Sequence, residues 1–289
     1  MVSGCTDICL ERLTGVAGVG AELRLLVILA HPDDEVLALG GRLEGMRASR
    51  FLCVTDGAPG DGLDAGAHGF GSLAEYRAAR RGELLAALRL AGVPEVCADE
   101  LRVDERVLGD QTAAFHLAAL TRAVVREIRE FRPEAVLTHP YEGGHPDHDA
   151  CAFAVHAAVR LLGGGAPRVV ESPFYHARMD GGSGMETGTF LPAENGSGGA
   201  TVVCKLLEEE QVRKCERLGC FVSQRETLAQ FGTEREMFRV APAYDFERAP
   251  HHGALLYEGF PWGMRGERFR EMAVAALAEL GLASGSGPA

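Results

Sequence analysis

The chain has 289 residues, 46% of them hydrophobic and 24% charged, enough for one large domain or two modest ones with a full buried core. With 29 basic against 41 acidic residues the formal charge is −12, which argues against phosphate backbones and anionic lipid surfaces as partners. No apolar run approaches the roughly 20 residues of a membrane span, and Asp7 and Glu11 stand where a signal peptide needs basic and then apolar residues. The eight cysteines form no CxxC pair. The expectation is a reduced, cytoplasmic protein.

Arg24 to Ala30 (RLLVILA) is a nearly continuous apolar run, the pattern of a parallel strand covered on both faces, and it stops abruptly at His31-Pro32-Asp33-Asp34-Glu35. Phe51 to Thr55 repeats the pattern and breaks at Asp56-Gly57. Glu75 to Leu90 reads as a helix ending near Gly92 and Pro94, and Leu117, Leu120, Val124, Ile128 and Phe131 mark the buried stripe of the next. Ala135 to Thr138 is a third strand, broken at His139-Pro140. His145-Pro146-Asp147-His148-Asp149 then opens a helix with Cys151, Val155, Ala158 and Leu162 on one face.

Beyond residue 200 the pattern gives a strand at Thr201 to Cys204 and a polar helix around Glu208 to Leu218. An aromatic- and proline-rich stretch up to Met264 is expected to pack as an irregular extension over the sheet edge. A last helix buries Phe269, Met272, Ala276 and Leu280, followed by a fraying SGSGPA tail. The glycine-rich stretches 57–72 and 181–199 lack apolar periodicity and are expected to be mobile loops, either surface insertions or lids. Strands alternating with helices predict an α/β chain: a doubly wound, mostly parallel sheet with helices on both faces. Ligands bind such sheets beyond the carboxyl ends of the strands, where the polar clusters fall.

Three acids and an imidazole within residues 31–35 are costly to hold beside a sheet unless a cation offsets them. The acids of the second cluster suit a helix start, but capping does not explain the histidines beside them. Two histidines and one carboxylate would make a three-ligand set with positions left open, as in catalytic zinc sites. The residues alone do not say which histidine and which aspartate bind, and the same set could hold Fe(II) for oxygen chemistry.

The AHPDDE run at 30–35, followed by VLALGG and paired with HPDH at 145–148, resembles the PIG-L/LmbE family of zinc-dependent N-deacetylases. The likeness extends through TDG at 55–57, RxxEL at 80–84, LAGV at 90–93 and RPEAVLTH at 132–139. It implies a Rossmann-like fold in a single domain over residues 23–283: core motifs at 23–165, a variable substrate side at 166–265 and a closing helix at 266–283. Residues 1–22 would be an N-terminal extension and 284–289 a frayed tail.

By the same resemblance His31, Asp34 and His148 would hold Zn2+, with Fe2+ or another divalent metal as the alternative. Asp33 would be the general base, and His145 would stabilise the oxyanion or protonate the leaving amine, oriented by Asp147. Arg80, Glu35, Asp56 and Tyr141 would contact substrate. The implied reaction removes acetate from an N-acetylated amino sugar or glycoconjugate, with a non-sugar N-acyl metabolite as the alternative substrate. The resemblance also admits a homo-oligomer. For Arg80 and Glu35 the plainer reading is an ion pair, for Asp56 a turn, and for His139 and His176 a structural hydrogen bond.

Overall fold

In the computed structural model, which describes residues 8–14, 23–180, 182–191 and 200–283, the first apolar run forms strand β1 (Leu25–Leu29), buried throughout. It lies inside a seven-stranded sheet with β2 (Arg50–Cys53), β4 (Ala98–Glu100), β6 (Ala135–Thr138), β7 (Arg168–Glu171), β10 (Val202–Lys205) and β11 (Arg235–Val240). The order is β10-β11-β7-β6-β1-β2-β4. The five strands from β7 to β4 are parallel, while β11 runs antiparallel to β7 and β10 antiparallel to β11. The fold is therefore α/β, with the expected parallel sheet extended at one edge by an antiparallel pair.

The pleat divides β1 between two cores. Leu26, Ile28 and Ala30 pack with the buried faces of α5 (Leu117–Phe131), α6 (Pro146–Leu162) and α9 (Gly266–Glu279). Leu25, Val27 and Leu29 pack with α1 (Ile8–Thr14), α2 (Asp34–Leu39) and α4 (Leu73–Leu90). The N-terminal extension thus contributes a helix, with Cys9, Leu10 and Leu13 buried; residues 1–7 and 15–22 lie outside the described residues. Helix α4 starts where Ser72 accepts a hydrogen bond from the Glu75 N–H at 3.2 Å.

Two expectations are corrected. Residues 57–72 are not an unstructured loop: Thr55–Pro59 forms β3, paired in parallel with β5 (Leu108–Asp110), and α3 (Leu63–Ala67) follows, around a small core of Ala58, Ala65 and Tyr76. Within 181–199, Met185–Thr187 forms β9, antiparallel to β8 (Tyr175–Ala177); Gly181 and 192–199 lie outside the described residues, as does the 284–289 tail.

The sequence pattern also gives no strand at Arg168–Glu171 or Arg235–Val240, because charged residues occupy buried positions there. Glu171 accepts from Arg239 Nε and from the Tyr244 hydroxyl, both at 3.0 Å. Among the described residues no helix is long and apolar enough to cross a membrane.

The antiparallel edge is tied to the site-bearing helix by a second buried pair. Lys214, on α7 (Glu208–Leu218), donates to the Leu37 carbonyl at 2.7 Å and to Glu236 at 3.1 Å, and Glu236 also accepts from the Gly41 N–H at 2.8 Å. Just after α7, α8 (Arg225–Leu228) closes the turn back towards β11. Glu236→Ala leaves the Lys214 ammonium buried without its anion and should cost about 3–5 kcal/mol in urea unfolding, whereas Lys214→Met combined with Glu236→Leu should cost less.

Candidate functional site

From β1 the chain steps outward through β2 to β4, then crosses back along α5 to β6 on the other side of β1. The strand order reverses between β1 and β6, the position where open α/β sheets leave a crevice at their carboxyl ends. Residues 31–35 leave β1 there and residues 139–149 leave β6, so both polar clusters face one crevice.

Three donor atoms meet in it. His31 Nδ1 lies 3.4 Å from Asp34 Oδ2 and 3.3 Å from His148 Nε2, and His148 Nε2 lies 3.7 Å from Asp34 Oδ2. Bonds of about 2.0–2.2 Å from a tetrahedral cation put its ligand atoms roughly 3.3–3.5 Å apart, so this triangle has the size of one tetrahedral face. Two nitrogens and a carboxylate oxygen suit a divalent transition metal, and the residues present fit the group the resemblance implies. Asp34 Oδ2 is fixed by the His31 backbone N–H at 2.8 Å.

The other ring nitrogen of His31 is also engaged: Nε2 lies 3.0 Å from Asp110 Oδ1 and 3.6 Å from Asp147 Oδ2. A carboxylate can only accept, so the hydrogen-bond network assigns the proton to Nε2 and leaves the Nδ1 lone pair facing the triangle. Burial opposes charge on this imidazole, yet Asp110, Asp147 and Asp34 push its pKa well above the usual value. The surroundings call for positive charge at this point.

His139 also comes within metal-ligating distance of Asp34 and His148. Its Nε2 already accepts from the Ala30 N–H at 2.9 Å, and its ring stacks on His148 at 3.8 Å, which makes it a support beneath the site. His176 bonds the Ala177 carbonyl and belongs to none of the metal-ligating groups among the described residues.

Asp33 stays outside the triangle. Its Oδ2 accepts from Arg80 Nη2 at 3.0 Å; burial pushes its carboxyl up to about 6, against the opposing pull of Arg80. Arg80 spends a second nitrogen on the Gly57 carbonyl at 3.0 Å and makes no pair with Glu83, which instead accepts from Ser223. Gly57 has φ +66°, and a Cβ there would lie 2.8 Å from the guanidinium and 2.7 Å from Pro32, so glycine is what lets Arg80 reach Asp33.

His145 caps α6: its Nδ1 accepts from the Asp147 N–H at 3.1 Å, which leaves the proton on Nε2, 3.8 Å from Asp110 Oδ1. Burial, helped by His31, lowers its pKa to about 3 and keeps the ring neutral.

Several expected roles change. The Asp147 carboxylate does not orient His145: it accepts from the N–H groups of Gln111 (2.6 Å) and Ala113 (2.9 Å), fixing the loop that carries Asp110. Tyr141 points away from the crevice, its hydroxyl bonded to the Arg248 carbonyl at 2.9 Å and its ring among Tyr244, Phe246 and Phe269. Glu35 is fully buried beneath the sheet with Cys53 Sγ at 3.0 Å, and burial pushes its carboxyl up to about 8. Asp56 is spent on the Ala58 N–H (3.0 Å) and Arg77 (2.7 Å).

Two residues at the site escape the sequence reading. Asp110 stands alone in GDQ, with no adjacent histidine or acid to mark it. Trp262, the single tryptophan, reaches back from the C-terminal stretch to place its ring 4.5 Å from that of His145. The density of aromatics between Phe238 and Met264 was the available signal.

Comparison with known proteins places this site in context. Residues 26–159 match the family model described as PIG-L: GlcNAc-PI de-N-acetylase. A Rhodococcus opacus protein named 1D-myo-inositol 2-acetamido-2-deoxy-alpha-D-glucopyranoside deacetylase is 36% identical over half of this chain, and this chain covers 55% of its length. A Bacillus cereus protein, "Probable N-acetyl-alpha-D-glucosaminyl L-malate deacetylase 2", is 30% identical over 54% of this chain, which covers 67% of it.

The chain belongs to the PIG-L family. The PIG-L match contains both motifs of the crevice and stops short of Trp262. The crystal structure of the A40926 pseudoaglycone deacetylase shares the fold, with a TM-score of 0.55 at 20% identity over 78% of this chain and 100% of that one.

If the Asp147 carboxylate holds the Asp110 loop, Asp147→Ala removes two charge-assisted backbone bonds worth about 1.5–3 kcal/mol each. Hydrogen exchange at the Gln111 and Ala113 amides should accelerate by at least about tenfold in that variant, while amides of β1 keep their protection.

Proposed function

We propose that the protein is a zinc-dependent N-deacetylase that removes acetate from an N-acetylated amino sugar or glycoconjugate. The observation that carries this reading is the donor triangle of His31, Asp34 and His148, with the carboxylate of Asp33 and the neutral imidazole of His145 beside it but not part of it. The names of the PIG-L relatives, which specify acetylated glucosamine conjugates, support the substrate class.

Bound by His31, Asp34 and His148, Zn2+ would supply a water of lowered pKa and a Lewis acid for the amide carbonyl. Asp33 takes a proton from the attacking water, and a carboxyl near 6 is suited to accept it and to give it up again. Arg80 holds that carboxylate in place. His145, kept neutral by burial, acts through its Nε2–H as a hydrogen-bond donor to the developing oxyanion. When the C–N bond breaks, the proton held by Asp33 passes to the leaving nitrogen, giving acetate and the free amine. Asp110 orients His31 through its Nε2 and faces the same nitrogen of His145.

The test is acetate release by the zinc-reconstituted protein from a panel of N-acetyl sugars, sugar conjugates and simple N-acyl amines. Release from the sugar-bearing members supports the reading; release only from the simple amines replaces the substrate class; no release from any member overturns it. Asp33→Asn should retain stoichiometric metal while turnover falls by at least about 10²-fold. His148→Ala should lose stoichiometric metal by elemental analysis, and a full equivalent of zinc in that variant would remove His148 from the ligand set. Reconstitution with Fe2+ beside Zn2+ identifies which cation supports turnover.

A further inference from the structure

The C-terminal stretch that brings Trp262 to His145 lies beyond the PIG-L match at 26–159, and the chemistry described above gives it no task. Trp262 is half-buried. Its ring meets that of His145 at 4.5 Å and is stacked with that of Phe260 at 4.3 Å, within 9° of parallel. We propose that Phe260, backed by Trp262, is a specificity-determining platform: the substrate's aglycone, the group joined to its acetamido sugar, is a ring whose apolar face lies on the Phe260 phenyl. The inference deepens the deacetylase reading and rests on it.

The platform is formed before any ligand arrives. Pro261 confines Phe260 to extended backbone, with φ −114° and ψ 154°. Side chains two residues apart share one face of an extended chain, which sets residues 260 and 262 side by side. Gly263 then turns the chain with φ +69°. One carboxylate ties both ends of the loop: Glu258 accepts from the Leu255 N–H at 3.1 Å and from the Gly266 N–H at 2.8 Å. The Leu256 N–H donates to the Gly143 carbonyl at 2.9 Å, two residues before His145, while Tyr257 and Met264 bury the flanks of the loop in the core. A surface held this way spends little ordering entropy on binding.

Phe260 is 45% exposed, and it borders a cavity of about 430 Å³ also lined by Met264, Arg265 and Arg268. Ligand pockets start at roughly 300 Å³, so the space accommodates a ring. Glu258 borders it too, with both carboxylate oxygens committed to the loop backbone. An acetyl group ends in a single methyl and, with its carbonyl at His145, does not extend past Trp262. What reaches Phe260 therefore belongs to the amine side of the substrate, and the contact it makes there is ring face on ring face.

The single tryptophan of the chain is the reporter for the test. Zinc-reconstituted protein is titrated with the amine products, phenyl and methyl glucosaminides in both anomeric forms, and binding is followed by tryptophan emission; kcat/KM is measured for the corresponding N-acetyl substrates. For at least one anomer the phenyl compound should exceed the methyl compound about tenfold in affinity and in kcat/KM. Phe260→Ala should bring both ratios to within about twofold of unity, and Phe260→Tyr, which keeps the ring, should preserve them.

Equal binding of phenyl and methyl products by the wild type, or ratios that survive Phe260→Ala, would overturn the platform and leave the deacetylase reading standing. So would a Phe260→Ala variant that changes the preference between N-acetyl and N-benzoyl groups instead, since the ring would then sit on the acyl side. Wild-type protein that prefers the phenyl products yet releases acetate from no N-acyl compound overturns the deacetylase reading, and with it the assignment of the ring to an aglycone.

Discussion

Four carboxylates, those of Asp33, Asp34, Asp110 and Asp147, gather around the single imidazole of His31, in a crevice where little water reaches them. Like charges at such separations repel strongly when poorly solvated, and the architecture of the site is the set of answers to that repulsion. Asp33 has Arg80; Asp147 has two backbone N–H groups; Asp110 has the far nitrogen of His31; Asp34 has the His31 N–H and faces His148. Each answer leaves some negative charge uncompensated, concentrated where the two histidine nitrogens and Asp34 converge. A divalent cation would complete the balance.

The scaffold supplies these partners from elements far apart in sequence. Arg80 arrives on the buried face of α4, passing a glycine that leaves room for it; the Asp110 loop is brought in by a two-stranded sheet at the crevice mouth; His145 and His148 sit on the first turn of α6. The antiparallel edge, remote from the chemistry, holds α2 through Lys214 and Glu236 and so steadies the helix that begins at Asp34.

What the sequence discloses follows a physical boundary. Runs covered on both faces by apolar side chains, such as Arg24 to Ala30 and Ala135 to Thr138, read directly as parallel strands. The clusters that end them were legible because histidines and acids rarely crowd together at random. Strands whose buried positions carry Glu171, Glu236 or Arg239 were not legible, since a charge neutralised across the fold looks in the sequence like a surface residue.

The same blindness applies within the site. His31, Asp34 and His148 could be proposed from local motifs. The turning of Tyr141 into the core, the capture of the Asp147 carboxylate by two amides and the approach of Asp110 and Trp262 depend on long-range packing that no local pattern encodes.

His31 and His148 stand 117 residues apart in the chain, yet their ring nitrogens face one another across the crevice. Closing a loop of that length costs the unfolded chain about 4 kcal/mol of entropy in a simple polymer estimate. A cation shared between the two histidines would thus be a removable cross-link through the middle of the molecule, favouring the native state by mass action. Metal supply would then set how much of the chain stands open to proteolysis, independently of any turnover it performs.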